Sequence, residues 1–99
     1  MEFEAQVSDD DAIRLVGDFD LASVAAFEEA TRAAVDGQRE IVLDLKELRF
    51  IDSSGIRAIL NLATALDGKG VVLRGPQPSV RKLIRLTGVE GHSGIRTED

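Results

Sequence analysis

Val42-Leu43-Asp44-Leu45-Lys46-Glu47-Leu48-Arg49-Phe50-Ile51-Asp52-Ser53-Ser54-Gly55-Ile56-Arg57-Ala58-Ile59-Leu60 is the stretch whose reading decides the fold. From Glu40 to Leu45 the chain is a short, nearly continuous apolar run, the pattern of a strand covered on both faces. From Ile56 onward, Ile59, Leu60, Ala63 and then Leu66 or Asp67 repeat at helical spacing. Between the two, a short connector delivers Asp52-Ser53-Ser54-Gly55 to a helix that begins near Ser54. A serine hydroxyl at such a place lies beside outward-pointing backbone N–H groups that favour negative charge. It can carry a phosphate without unravelling the fold.

Toward the N-terminus, Phe3, Ala5 and Val7 alternate with Glu4 and Gln6, so residues 2–7 read as a half-buried strand. Ser8-Asp9-Asp10-Asp11 is turn chemistry. Ala12 to Val16 alternates again, and Gly17-Asp18-Phe19-Asp20 closes a β-hairpin. A first helix follows over 22–36, with Val24, Phe27, Thr31 and Ala34 on one stripe and Asp36-Gly37 as its stop.

Toward the C-terminus, Gly68-Lys69-Gly70 ends the second helix and Val71-Val72-Leu73 is the next strand. Gly75-Pro76-Gln77-Pro78 turns the chain into a third helix capped by Ser79, with Val80, Leu83, Ile84 and Thr87 inward and Gly88 at its end. Residues 89–99 are polar and lack helical period, and Ile95 is placed to pin one short edge strand. The order β-β-α-β-α-β-α implies α/β layering with helices packed against the sheet. One domain spanning 1–99 is expected, with its core over about 2–90 and a polar tail at 91–99.

Composition narrows the function. An apolar fraction of 43% and a charged fraction of 30% are ordinary globular values. The four aromatic residues are all Phe, so the core is mostly aliphatic and the usual stacking platforms for single-stranded nucleic acid are missing. A net charge of −6 repels nucleic acid and anionic membranes. With no cysteine there is neither a disulfide framework nor a thiolate metal site. No apolar run approaches the roughly 18–20 residues of a membrane span. The acidic start Met1-Glu2-Phe3-Glu4 lacks the features of a signal peptide. A cytoplasmic protein is expected.

Each candidate site has a plain structural reading beside the functional one. Ser53 or Ser54 could serve only as a helix cap, with Gly55 easing the turn. That explains one serine. It leaves unexplained two hydroxyls together at the carboxyl end of a strand, the edge where ligands gather in α/β sheets. Ser54 as cap and Ser53 exposed is the expected division. His92, the single histidine, lacks the Gly-x-Ser-x-Gly setting of a hydrolase. Asp9-Asp10-Asp11 reads as a solvated turn rather than a Ca²⁺ loop. Arg81, Lys82 and Arg85 form a basic strip whose default is a solvated helix face, and no Gly-rich phosphate loop is present.

Four pieces together, Leu15-Val16-Gly17-Asp18-Phe19-Asp20-Leu21, Val42-Leu43-Asp44-Leu45, Phe50-Ile51-Asp52-Ser53-Ser54-Gly55-Ile56 and Leu83-Ile84-Arg85-Leu86-Thr87-Gly88, resemble the STAS domains of bacterial anti-sigma factor antagonists. The resemblance implies an α/β fold, a small mixed β-sheet of four to five strands with helices packed mainly on one face. It implies no enzyme and no cofactor, but a partner-switching module. The unphosphorylated form would bind an anti-sigma factor serine kinase, freeing a sigma factor. Phosphorylation of Ser53 would release it, and a metal-dependent serine phosphatase acting on phospho-Ser53 would reset it. Asp20, Asp52, Ser54 and Gly55 would surround the phosphosite, and Asp18, Asp20, Ser53, Ile56 and Arg57 would meet the partner. Asp20 reads equally as a cap for residues 22–36. Family members commonly finish with a strand and a C-terminal helix, for which Gly91 to Asp99 offers no apolar face. Two other readings are a STAS scaffold or accessory subunit (a stressosome, or a lipid-transport ATPase) without a phosphoswitch, and a small-ligand or hydrolytic protein that would need a pocket.

Overall fold

A computed structural model describes residues 2–8, 10–92 and 94–99. Strands β1 (Phe3–Val7) and β2 (Ile13–Phe19) form the hairpin. A 3-10 turn (Leu21–Ser23) leads into α1 (Val24–Asp36), followed by β3 (Ile41–Ile51), α2 (Ser53–Ala65), β4 (Val71–Arg74), α3 (Pro78–Thr87), a second 3-10 turn (Val89–Gly91) and β5 (Ile95–Glu98). The five strands form one sheet in the order β1-β2-β3-β4-β5. The β1–β2 pair is antiparallel and the other three are parallel, giving the expected mixed α/β sheet.

The central strand differs most from its sequence reading. β3 does not stop at Leu45 but runs on to Ile51, so no connector separates strand from helix. Its register explains why the pattern broke. Arg14 and Val16 of β2 face Asp44 and Glu47, and Gly17 and Asp18 face Leu48 and Phe50. Twice β3 spends one residue more than β2, and each β-bulge resets which side chains point inward. The buried positions are therefore Ile41, Leu43, Leu45, Leu48 and Ile51, an alternation that stretches from every second to every third residue. The strand is not apolar on both sides either. Arg14 bonds Gln6 at 2.7 Å and Glu47 at 3.3 Å, Arg74 reaches Asp10 and Asp44, and Arg96 pairs with Glu40 and Glu98.

The core joins the inward strand residues to Phe27 and Ala34 of α1, Ile56, Ile59, Leu62 and Ala63 of α2, and Val80 and Ile84 of α3. It also takes Val89 and Ile95, so it continues into the segment read as a polar tail, where β5 pairs with β4. The short edge strand expected at Ile95 is β5, Ile95–Glu98, at the end of the sheet. β2 likewise extends through Phe19, and Gly17 (φ +95°) makes the close approach to β1, where a Cβ would stand 2.1 Å from the Glu2 carbonyl. At the end of α1, Gly37 keeps a right-handed φ of −83° and Gln38 takes the left-handed turn instead. α3 is capped by Gln77 with Pro78 at its first position, not by Ser79.

In the β1–β2 turn, Asp10 accepts from the Ser8 hydroxyl at 2.6 Å and the Ala12 amide at 3.2 Å, and meets Arg74 at 3.2 Å. These bonds, the Ser8 one foremost, lower its carboxyl to about 2. The turn is thus an internally bonded one; Asp9 lies outside the described residues.

Candidate functional site

A backbone bond, a buried ring and a glycine close approach bring the ends of β2 and β3 together. The Asp52 amide donates to the Phe19 carbonyl at 3.2 Å. The next residues, Asp20 on one chain segment and Ser53 on the other, are consequently neighbours at the carboxyl edge of the sheet. The Phe19 ring is fully buried between Phe3 and Phe27, with centroids at 5.0 and 4.8 Å, and anchors the corner from below. Gly55 then lets α2 start directly on this corner. A Cβ there would lie 2.7 Å from Ile51 Cγ1, 2.8 Å from the Phe19 carbonyl oxygen and 3.0 Å from the Phe19 ring. Gly55 is required by close packing, and not to ease a turn.

The cap of α2 is Asp52. Its carboxylate accepts from the Ser54 amide at 2.8 Å and the Gly55 amide at 3.1 Å, while its carbonyl takes the first helical bond from Ile56 at 3.0 Å. This corrects the expected division, since Ser54 is already the second helical residue and caps nothing. Ser53 occupies the first helical position and is exposed, with no capping duty. Asp20 does have a structural duty. Its carboxylate accepts from the Ser23 hydroxyl at 3.0 Å, at the start of the turn leading into α1.

Two of the expected partner residues are buried in this structure. Ile56 is 5% exposed and packs in the core, because it begins the inward stripe of α2. Asp18 is 4% exposed, with its carboxylate 3.5 Å from the Arg49 guanidinium. Arg57 is exposed, one helical turn beyond Ser53. The structure adds two side chains that the sequence reading passed over. Leu21, next to Asp20, is 75% exposed, and Phe50, at the end of β3, is 46% exposed. The signal was present in Leu21, which belongs to no apolar stripe, and in Phe50, which the first alternation of β3 leaves unplaced.

The remaining candidates fall elsewhere. His92 lines a hollow with Leu60, Ala63, Thr64 and Asp67. Thr64 is eleven residues beyond Ser53 on the same helix, about 16 Å along its axis, so His92 is no base for Ser53. A groove of about 360 Å³ between α1 and α2 is lined by Phe27, Thr31, Val35, Ala58 and Leu62 among others, but not by Ser53. Among the described residues no group of three or more His, Asp or Glu could hold a metal ion, and no helix is long and apolar enough to cross a membrane.

A family model described as "Mlab, STAS domain" matches residues 3–97. The chain belongs to the STAS domain family. Among solved structures, this STAS domain is similar to an anti-sigma factor antagonist from Mycobacterium paratuberculosis, with 28% identity and a TM-score of 0.78 over 95% of this chain and 85% of that one. It also shares its fold with the anti-sigma factor antagonist SpoIIAA in its unphosphorylated form (20% identity, TM-score 0.71, 97% of this chain and 87% of that one). The phosphorylated form of the Bacillus cell fate determinant SpoIIAA matches at 20% identity and TM-score 0.64, over 97% and 90% of the two chains.

Proposed function

We propose that this STAS domain is an anti-sigma factor antagonist that works in the cytoplasm by partner switching, with Ser53 as the phosphorylated residue. The observation that carries this reading is the division of labour at α2. Asp52 caps the helix, so Ser53 is left exposed on a rigid corner, with exposed Phe50 three residues before it and exposed Leu21 just beyond the end of the paired strand β2. Similarity to anti-sigma factor antagonists, one of them solved in a phosphorylated form, supports it.

In the unphosphorylated state an anti-sigma factor serine kinase covers Leu21, Phe50, Ser53 and Arg57. The kinase moves the γ-phosphoryl group of ATP to Ser53 Oγ. A P–Oγ ester bond forms, the bond to the β-phosphate breaks, and the hydroxyl proton passes to a base of the kinase. This protein supplies the acceptor and no catalysis. The product carries about −1.5 to −2 added charge beside the Asp20 and Asp52 carboxylates. Burying that charge inside the interface costs several kcal/mol of desolvation, and the complex separates. A serine phosphatase acting on phospho-Ser53 restores the first state.

The test uses Ser53→Ala and Ser53→Glu proteins as baits in lysate of the source organism. An ATP-dependent serine kinase held by Ser53→Ala and lost by Ser53→Glu, which then phosphorylates wild-type protein on Ser53, is the expected result. A kinase that binds both baits equally contradicts the switch. The second reading, a STAS scaffold or accessory subunit of a lipid-transport ATPase, is favoured by the apolar character of Leu21 and Phe50, which suits a permanent interface. It predicts the same assembly on both baits.

A further inference from the structure

We infer that Arg57 is the intramolecular counter-ion of phospho-Ser53, so that phosphorylation withdraws a cation from the docking face as well as adding an anion. The inference rests on the reading of Ser53 as a phosphosite and assigns the fate of the phosphate within this chain.

A phosphate on the first residue of a helix ordinarily finds backbone amides to receive it. Here they are taken. The Asp52 carboxylate holds the Ser54 and Gly55 amides, and the Ile56 amide bonds the Asp52 carbonyl. Only the amide of Ser53 itself is left in the first turn. The surrounding carboxylates, Asp52 in the cap and Asp20 on the β2–α1 corner, repel a second anion. Two cations lie in range by position. Arg49, on β3, already faces the buried Asp18 carboxylate at 3.5 Å. Arg57 is exposed, and among the described residues it makes no ion pair.

Ser53 and Arg57 stand at i and i+4 of one helix, which puts them one above the other on its surface. The acidic partner is N-terminal to the basic one, the stronger orientation for such a pair. A guanidinium presents two parallel N–H groups to two phosphate oxygens, so the pair is bidentate and directional. In the unmodified protein the same guanidinium is free to meet a carboxylate of the partner. In the modified protein it is turned back over its own helix.

The test incorporates phosphoserine at position 53 genetically, so it needs no kinase. Phosphorus NMR follows the titration of the phosphate near its second pKa of about 6. The wild-type background is expected to titrate about 0.5 pH unit lower than Arg57→Gln, because a nearby guanidinium favours the dianion, and Arg57→Lys is expected to fall between. The Arg57 Nε–H resonance, compared between the Ser53 and phosphoserine proteins, needs no variant and is expected to move downfield. Identical titration in all three backgrounds with an unmoved Arg57 resonance overturns the pair. That failure would leave the Ser53→Ala and Ser53→Glu binding comparison untouched, and the absence of a kinase would leave the ion pair measurable.

Discussion

Two helices of this protein start with an exposed serine in their first turn, and the two starts are built on different principles. At α3, Gln77 takes the cap position without a capping bond, its Nε2 donating instead to the Lys46 carbonyl at 2.9 Å, and Pro78 supplies the preset backbone angle, so Ser79 rests on an open helix start. At α2, four independent contacts fix the start: the Asp52 cap, the Asp52–Phe19 backbone bond, the Gly55 close approach and the buried Phe19 ring. None of the four uses the Ser53 hydroxyl. An exposed serine at a helix start is therefore not in itself a switch. What distinguishes Ser53 is the rigid base beneath it.

The contrast can be broken from its base upward. Phe19→Ala removes the buried ring under the corner and is expected to destabilise the fold by about 3–5 kcal/mol in urea unfolding. Retained stability would mean that the corner is not anchored there. Gly55→Ala forces a Cβ into the Phe19 carbonyl and Ile51, and an overpacking loss of about 1–3 kcal/mol is expected. An unchanged midpoint would show that α2 can shift away freely. Asp52→Ala should lose about 0.5–2 kcal/mol as a missing cap, whereas Gln77→Ala, which gives up only an exposed bond to the Lys46 carbonyl, should lose less, about 0.5 kcal/mol. Equal losses at the two positions would erase the distinction. Ser53→Ala and Ser79→Ala are both expected within about 0.5 kcal/mol of wild type. A larger loss at Ser53 would reveal a structural task for its hydroxyl.

Much of this arrangement is legible in the residues. The strand–Asp-Ser-Ser-Gly–helix unit, the hairpin and the helical stripes of Phe27 and Ile59 follow from periodicity, because each keeps one face in the core. β3 beyond Leu45 does not, since two bulges move the buried positions to Leu48 and Ile51 and match neither a strand nor a helix template. The cap of α2 was assigned to the wrong side chain because Asp and Ser are equally good caps. Only the geometry shows that the Asp52 carboxylate reaches both amides. The resemblance puts Ile56 and Asp18 on the partner surface. The structure buries both, Ile56 on the inward stripe of α2 and Asp18 on the sheet beside Arg49. Leu21 and Phe50 escaped notice because exposure of an apolar residue is a tertiary property, set here by the neighbouring corner.

The central claim is that a charge at Ser53, and not at any exposed helix-start serine, separates the protein from its kinase. It is tested most directly by calorimetric titration of the kinase recovered on the Ser53→Ala bait with three forms of this domain: unmodified, phosphoserine at position 53, and phosphoserine at position 79. The expected result is binding weakened by about 100-fold or more for the first phosphoprotein alone. Equal affinity for the unmodified and position-53 forms, or equal weakening by both phosphates, would contradict it.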